Sequence, residues 1–200
     1  RMSPAEVVMP VFQTGIQPDR DPEIRKHSLL GLAMHLGVLR ENGHVDVPSE
    51  LFSDLLNISR EQVAISRHQT AYIFGLIGSP EAVDRLEVMV EDPDQMVRVN
   101  AAIGFARNES TQGLPVFHEL FEEAASWELN PSKVESDKEE SLYFERMLMV
   151  VNSIKAVTKL SSSLSPEEKA RFIEELQALS DSTRDSVLRT DALAAIQELT

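Results

Sequence analysis

Asp92-Pro-Asp-Gln-Met-Val-Arg98-Val-Asn-Ala-Ala-Ile-Gly104-Phe-Ala-Arg107 holds a chain break followed by a helix. Asp92-Pro93 interrupts any preceding helix, and the periodic stretch from 94 to 107 reads as the next one. Along it Ala101, Ala102 and Ala106 fall three, four and eight positions after Arg98. That spacing puts small side chains on one stripe, which lets a neighbouring helix approach closely and pack ridge into groove.

The pattern returns outside this stretch. Arg25-Lys-His-Ser-Leu-Leu-Gly, Arg67-His-Gln-Thr-Ala-Tyr-Ile and Arg189-Thr-Asp-Ala-Leu-Ala-Ala align with Arg98-Val-Asn-Ala-Ala-Ile-Gly. Three positions after the arginine the residue is small in every copy: Ser28, Thr70, Ala101 and Ala192. Ala33 and Gly75, like Ala106, fall eight after their arginines. Arg67 and Arg98 lie 31 residues apart, and Arg98 and Arg189 lie 91 apart, close to three such periods. A period of this length marks helical units that cannot bury their apolar faces alone and so must stack.

Breakers cut the rest of the chain into helical pieces: Pro18 and Pro22, Gly43 to Pro48, Gly78-Ser-Pro80, Gly113 to Pro115, Asn130-Pro131 and Ser165-Pro166. Between them the spacing predicts ten helices, at 4–16, 22–38, 49–57, 61–77, 80–90, 94–107, 111–125, 140–160, 166–180 and 184–198. Several prolines follow Ser or Asp, the arrangement of an N-cap with proline in the first turn. Long alternating runs are missing, and Glu41-Asn-Gly-His-Val-Asp-Val47 reads as a short loop and at most a strand fragment. The expected fold is all-α: an α-solenoid of about five helix pairs (4–38, 49–77, 80–107, 111–160, 166–198). It would form a single domain over 1–200, with longer loops at 39–48 and 126–139.

The 200 residues carry 19 Lys plus Arg against 33 Asp plus Glu, a formal charge of −14. So negative a surface repels phosphate backbones and argues against nucleic acid as the partner. With no cysteine, this stretch has no disulfides, Cys-ligated zinc, iron–sulfur clusters or thiol nucleophiles. The redox compartment stays open. The longest apolar cluster, Met147 to Val151, is followed at once by Asn152 and Lys155, so no membrane insertion is expected in this segment. Arg1 to Pro4 does not read as a leader, which favours a cytoplasmic home. Arg1 ahead of Met2 reads as a cut or added end, so a signal, an anchor or flanking repeats of a longer array stay open.

Residues 82–107, centred on Asp92 to Arg98, resemble a HEAT repeat of the short bacterial type, also grouped with the HEAT-like repeats of phycobilisome lyases. Such repeats carry an aspartate in the turn between two helices, an arginine six residues later and an aliphatic residue just before it. Asp92, Val97 and Arg98 fill these places, as do Asp19, Ile24 and Arg25. The copy at Arg67 has Glu61 and Ser66 instead, and the copy at Arg189 has Thr183 and Leu188. The resemblance implies a fold whose second helices line a concave face. It also implies structural turn acid–arginine pairs, with Asp19, Arg25, Asp92 and Arg98 as their members. Each arginine is expected to meet the turn acid of its own or the neighbouring repeat.

The other candidates are few. The histidines are His27, His35, His44, His68 and His118, with His118-Glu119 the one His-Glu pair. Deoxyhypusine hydroxylases, a HEAT-repeat enzyme family, bind iron through several His-Glu pairs, a pattern this chain lacks. No Gly-x-Ser-x-Gly elbow or phosphate-binding loop is present, and Gly75-Leu-Ile-Gly78 reads as a helix end capped by Gly78. Residues 119–140 carry eight acids, Glu128 among them, against Lys133 and Lys138, and residues 81–94 carry six against Arg85. These clusters read as solvated faces or as a docking surface for a basic partner. Trp127, the sole tryptophan, reads equally as a loop anchor or as a residue folded back beside Phe117 and Phe121. Leu30, Tyr72 and Ile103, each five after its arginine, read as interhelix core, an apolar concave strip being the other reading.

The function that follows is a non-enzymatic scaffold without a cofactor, binding protein partners on its concave face. Lys26, His68, Asn100 and Arg107 are the expected contacts from helical phase, with Trp127 beside them. The alternatives are an enzyme or enzyme-associated chaperone of the phycobilin-lyase or metal-hydroxylase kind, and a purely structural segment of a larger solenoid.

Overall fold

The computed structural model describes residues 5–43, 45–127 and 129–200. His44, Glu128 and the Arg1 to Pro4 stretch lie outside the described residues. Ten α-helices and no strand occur among the described residues: α1 (Ala5–Gly15), α2 (Pro22–Glu41), α3 (Ser49–Ile58), α4 (Ala64–Ile77), α5 (Pro80–Met89), α6 (Gln95–Arg107), α7 (Leu114–Ala124), α8 (Asp137–Lys159), α9 (Pro166–Ser182) and α10 (Ser186–Leu199). Among the described residues no helix is long and apolar enough to cross a membrane.

The helix starts follow the chain's own chemistry. Asp21, Ser79 and Ser165 each accept a backbone N–H into their side chains, with Pro22, Pro80 and Pro166 in the first turn. Glu168 returns the bond to the Ser165 N–H and completes a capping box. Gly78 ends α4 in the left-handed conformation at φ 65°. Two boundaries differ from expectation. α4 begins at Ala64 rather than 61, because Val63 is extended and offers no capping side chain. α8 begins at Asp137 rather than 140, because Ser136 accepts the Glu139 N–H while its own hydroxyl donates to the Glu139 carboxylate. A 3₁₀ turn at Pro131–Lys133 shortens the preceding loop further.

The chain divides into two compact units, Arg1–Gly104 and Phe105–Thr200. The boundary falls inside α6. Within the first unit α1 packs on α2 and α3 on α4, while α1 meets α3 and α2 meets α4. Within the second, α7 packs on α8 and α9 on α10, while α7 meets α9 and α8 meets α10. First helices stack on first helices and second on second, which is solenoid layering, and each unit repeats it. The first core centres on Leu29, Leu32, Leu36, Leu55 and Phe74, all fully buried, with Phe52 edge-on to Phe74 at 5.6 Å. The second centres on Phe117, Phe121, Phe172, Leu176 and Leu188.

The small stripe takes physical form where α6 crosses α4. A Cβ at Gly104 would lie 3.1 Å from the Gly75 Cα and 2.8 Å from Leu86 Cδ1. Alanine at 104 gains about 1 kcal/mol of helix propensity but forces overpacking worth about 1–3 kcal/mol. Gly104→Ala is therefore expected to lower the stability of the first unit by up to about 2 kcal/mol in a urea titration. Greater stability would mean that the two backbones have room to spare.

Candidate partner-binding site

The recurring arginines serve the turns. Arg67, Arg98 and Arg189 each donate to the carbonyl six residues back, on Glu61, Asp92 and Thr183 respectively, at 2.6–3.1 Å. The spacing thus secures a backbone oxygen whatever side chain occupies the turn, which explains why Thr183 can stand where an acid is expected. The carboxylates are taken from one repeat away. Arg25 meets Glu61 at 2.5 Å, and Arg67 forms a bidentate pair with Asp92 at 2.8 Å through both nitrogens. The expected pairing of Asp19 with Arg25 does not form. Asp19 is exposed, and Arg25 spans from the Ile16 carbonyl to the next turn. Likewise the Asp92 carboxylate belongs to Arg67, while Arg98 donates to the Asp92 and Pro93 carbonyls. The long guanidinium stem at the start of a second helix reaches across a layer more easily than it folds back on its own turn. Burial pushes the Asp92 carboxyl up, but the Arg67 hydrogen bond and its companions outweigh it and hold the group below its ordinary value. The same bond raises Arg67.

With these arginines drawn to the turns, the surface of the second helices is left to other side chains. A groove of about 240 Å³ lies across α2, α4 and α6 of the first unit. Leu29 and Ala33 are buried at its base, and Leu30, Met34 and Tyr72 give it apolar sides. Leu30 is 50% and Met34 69% exposed, high values for aliphatic side chains sharing a face. His68, Gln69 and Asn100 supply the polar rim. Burial lowers the His68 pKa, with the Asp94 charge pulling the other way, which favours the neutral imidazole. Gln69 donates to the Lys26 carbonyl at 3.2 Å and ties α4 to α2, while its Oε1 is buried without a hydrogen-bond partner.

The residues expected at a concave face therefore separate. His68 and Asn100 come together in the groove. Lys26 does not line it: its carbonyl accepts from Gln69 at 3.2 Å, and its ammonium lies 3.4 Å from Glu23. Arg107 and Trp127 belong to the second unit. Arg107 ends α6 and its carbonyl accepts from Lys159 at 3.1 Å. Trp127 is half-buried, with its indole N–H 3.4 Å from Glu123 and the Arg146 guanidinium 4.7 Å above its ring. The stripe five after the arginines also divides. Leu30 and Tyr72 line the groove, but Ile103 is 6% exposed and joins the core. Sequence reasoning missed Met34 and Gln69. Met34, one helical turn after Leu30, was the available signal.

His118 pairs with Glu175 of α9 at 2.8 Å, stacked on Phe172 at 4.1 Å. Arg171 closes the set, reaching Glu175 and Glu122 at 2.9 Å each. Among the described residues no three His, Asp or Glu side chains gather as a metal-ligand group. Arg85, the lone cation of the 81–94 cluster, donates to the Ser59 hydroxyl and carbonyl at 2.8 Å each. No family model matches the chain, and no curated protein matches its sequence. Among solved structures, it is similar to a designed armadillo repeat protein, at 12% identity and a TM-score of 0.39 over 96% of this chain and 100% of that one.

Proposed function

We propose that this chain is a HEAT-type repeat scaffold without catalytic activity of its own, binding a protein segment along the second helices of its pairs. The observation that carries the reading is the groove across α2, α4 and α6, where Leu30, Met34 and Tyr72 stand beside His68 and Asn100. Apolar walls with a few polar groups suit the burial of an apolar side chain from a partner. The turn geometry supports the HEAT assignment, since the acid, the aliphatic residue and the arginine each have a distinct use in it. Asp92 pairs across the repeat, Val97 is buried in the core and Arg98 closes the turn.

Burying one partner side chain of leucine or phenylalanine size contributes about 1.5–3 kcal/mol, about tenfold to a hundredfold in affinity. Capture from native lysate with quantitative mass spectrometry is therefore compared between the native chain and Met34→Glu with His68→Ala. Both changes lie on side chains outside the core, so helicity and melting are expected to be unchanged. A partner held by the native chain and depleted about tenfold or more by the variant is the expected result. Equal recovery from both chains would remove the groove as the binding site.

A further inference from the structure

The helix α8 has 23 residues against 11 in α7, on which it packs. From Met149 to Val157 its side chains fill the core. From Asp137 to Leu148 they stand largely outside it, with Leu142 46%, Phe144 46% and Leu148 51% exposed. Phe144 and Leu148 are one turn apart on the same face. The second of them belongs to the longest apolar cluster of the sequence, Met147 to Val151, which supplies more apolar surface than the core side of one helix requires.

Beside this face lies a cavity of about 440 Å³. Tyr143 and Phe144 form one side, edge to face at 5.4 Å and 71°, and Pro131 and Val134 bring the preceding turn against it. Glu135, Asp137 and Glu140 also line the cavity. Glu139 is consumed locally, accepting from the Glu135 N–H and the Ser136 hydroxyl, bonds that hold its carboxyl below the ordinary range. The side-chain carboxylates of Glu135, Asp137 and Glu140 have no hydrogen bond or ion pair among the described residues. Residues 134–145 carry five acids against Lys138 alone. The aromatic faces, the free carboxylates and the apolar turn beyond them together define what fits.

We infer that this end of α8 is a docking site for a basic amphipathic helix of a partner protein. The helix seats a lysine or arginine between the Tyr143–Phe144 rings and the carboxylates of Glu135, Asp137 and Glu140, and lays apolar side chains on Phe144 and Leu148. The rings attract the cation through their faces, the acids steer and orient it, and the apolar turn adds area that a merely solubilising acidic surface lacks. This site shares no lining residue with the groove across α2, α4 and α6.

The probe is a fluorescein-labelled helical peptide of about four turns, made of lysine and leucine with all leucines on one face. Its control is a peptide of the same composition with the face scrambled. Fluorescence anisotropy is measured on the native chain, on Phe144→Ser with Leu148→Ser, on Glu135→Gln with Glu140→Gln, and on the groove variant. The patterned peptide is expected to bind the native chain about tenfold or more tightly than the scrambled one. Phe144→Ser with Leu148→Ser should remove that preference, and the glutamine pair should weaken binding and flatten its salt dependence. The groove variant should bind like the native chain, with Trp127 emission shifting on binding in both. Circular dichroism checks that all chains keep the native helicity. Equal binding of both peptides, indifference to the Phe144 and Leu148 changes, loss in the groove variant, or no binding at millimolar peptide would each overturn the assignment.

Discussion

Replacing Phe172 with alanine is expected to destabilise the second unit by about 4 kcal/mol. The ring is fully buried, lies on the His118 imidazole at 4.1 Å and meets Phe121 edge to face at 6.1 Å. Its removal deletes a large apolar side chain from the α7–α9 contact and leaves a void. It also takes the apolar support from one side of the buried His118–Glu175 pair, whose side chains are 9% and 8% exposed. Pairs of this kind lose more from disturbed geometry than surface pairs do. Denaturant unfolding followed by Trp127 fluorescence reads the second unit directly, because Trp127 sits on it. Phe172→Leu, which keeps most of the volume, should cost about 1–2 kcal/mol. A loss below about 1.5 kcal/mol for the alanine change would mean that α7 and α9 close over the space.

The second large effect is predicted at Asp92, where alanine is expected to cost about 3 kcal/mol. Asp92 and Arg67 are each 12% exposed at the side chain and share a bidentate pair, so truncation leaves a largely desolvated guanidinium without its carboxylate. Asp92 also accepts the Asp94 N–H at 2.9 Å in the turn before α6. The acid dependence has a definite sign. The native carboxyl titrates below its ordinary 3.8, so folding favours the ionised form. Its contribution is complete above about pH 5, and falls as pH drops through 3.8 and then through the lower native value. Asp92→Asn should therefore destabilise at pH 7 and flatten the acid limb of a stability-against-pH curve. An unchanged limb would show that other carboxylates govern acid unfolding.

The two sites differ in how far they can be read from the chain. Helical phase puts His68 and Asn100 on a shared face, and the groove contains both. The same phase argument puts Lys26 beside them, but Lys26 does not line the groove and meets it only through the Gln69 that its carbonyl holds. Phase fixes direction around a helix axis, but it does not say how far along the axis a neighbour covers it. That is why Ile103 is core while Leu30 and Tyr72 line the groove, although all three occupy the same position after their arginines. The docking face on α8 depends on helix length. The spacing shows an apolar cluster at Met147 to Val151, yet only the difference between a 23-residue helix and its 11-residue partner exposes the turns before it.

The all-α class, the ten helices among the described residues and most of their boundaries follow from the chain itself. Each depends on interactions within a few residues: apolar spacing, Ser or Asp caps ahead of proline, and Gly78 at a left-handed helix end. The arginine six after each turn is equally local, because a carbonyl at that distance is within reach in every copy but the first, where Arg25 takes the Ile16 carbonyl instead. Tertiary structure alone decided which carboxylate each arginine takes. Arg25 with Glu61 and Arg67 with Asp92 are contacts between layers, set by how one helix pair lies on the next. Local chemistry fixes what each layer is, whereas the fit of one layer on another fixes which of its side chains remain for a partner.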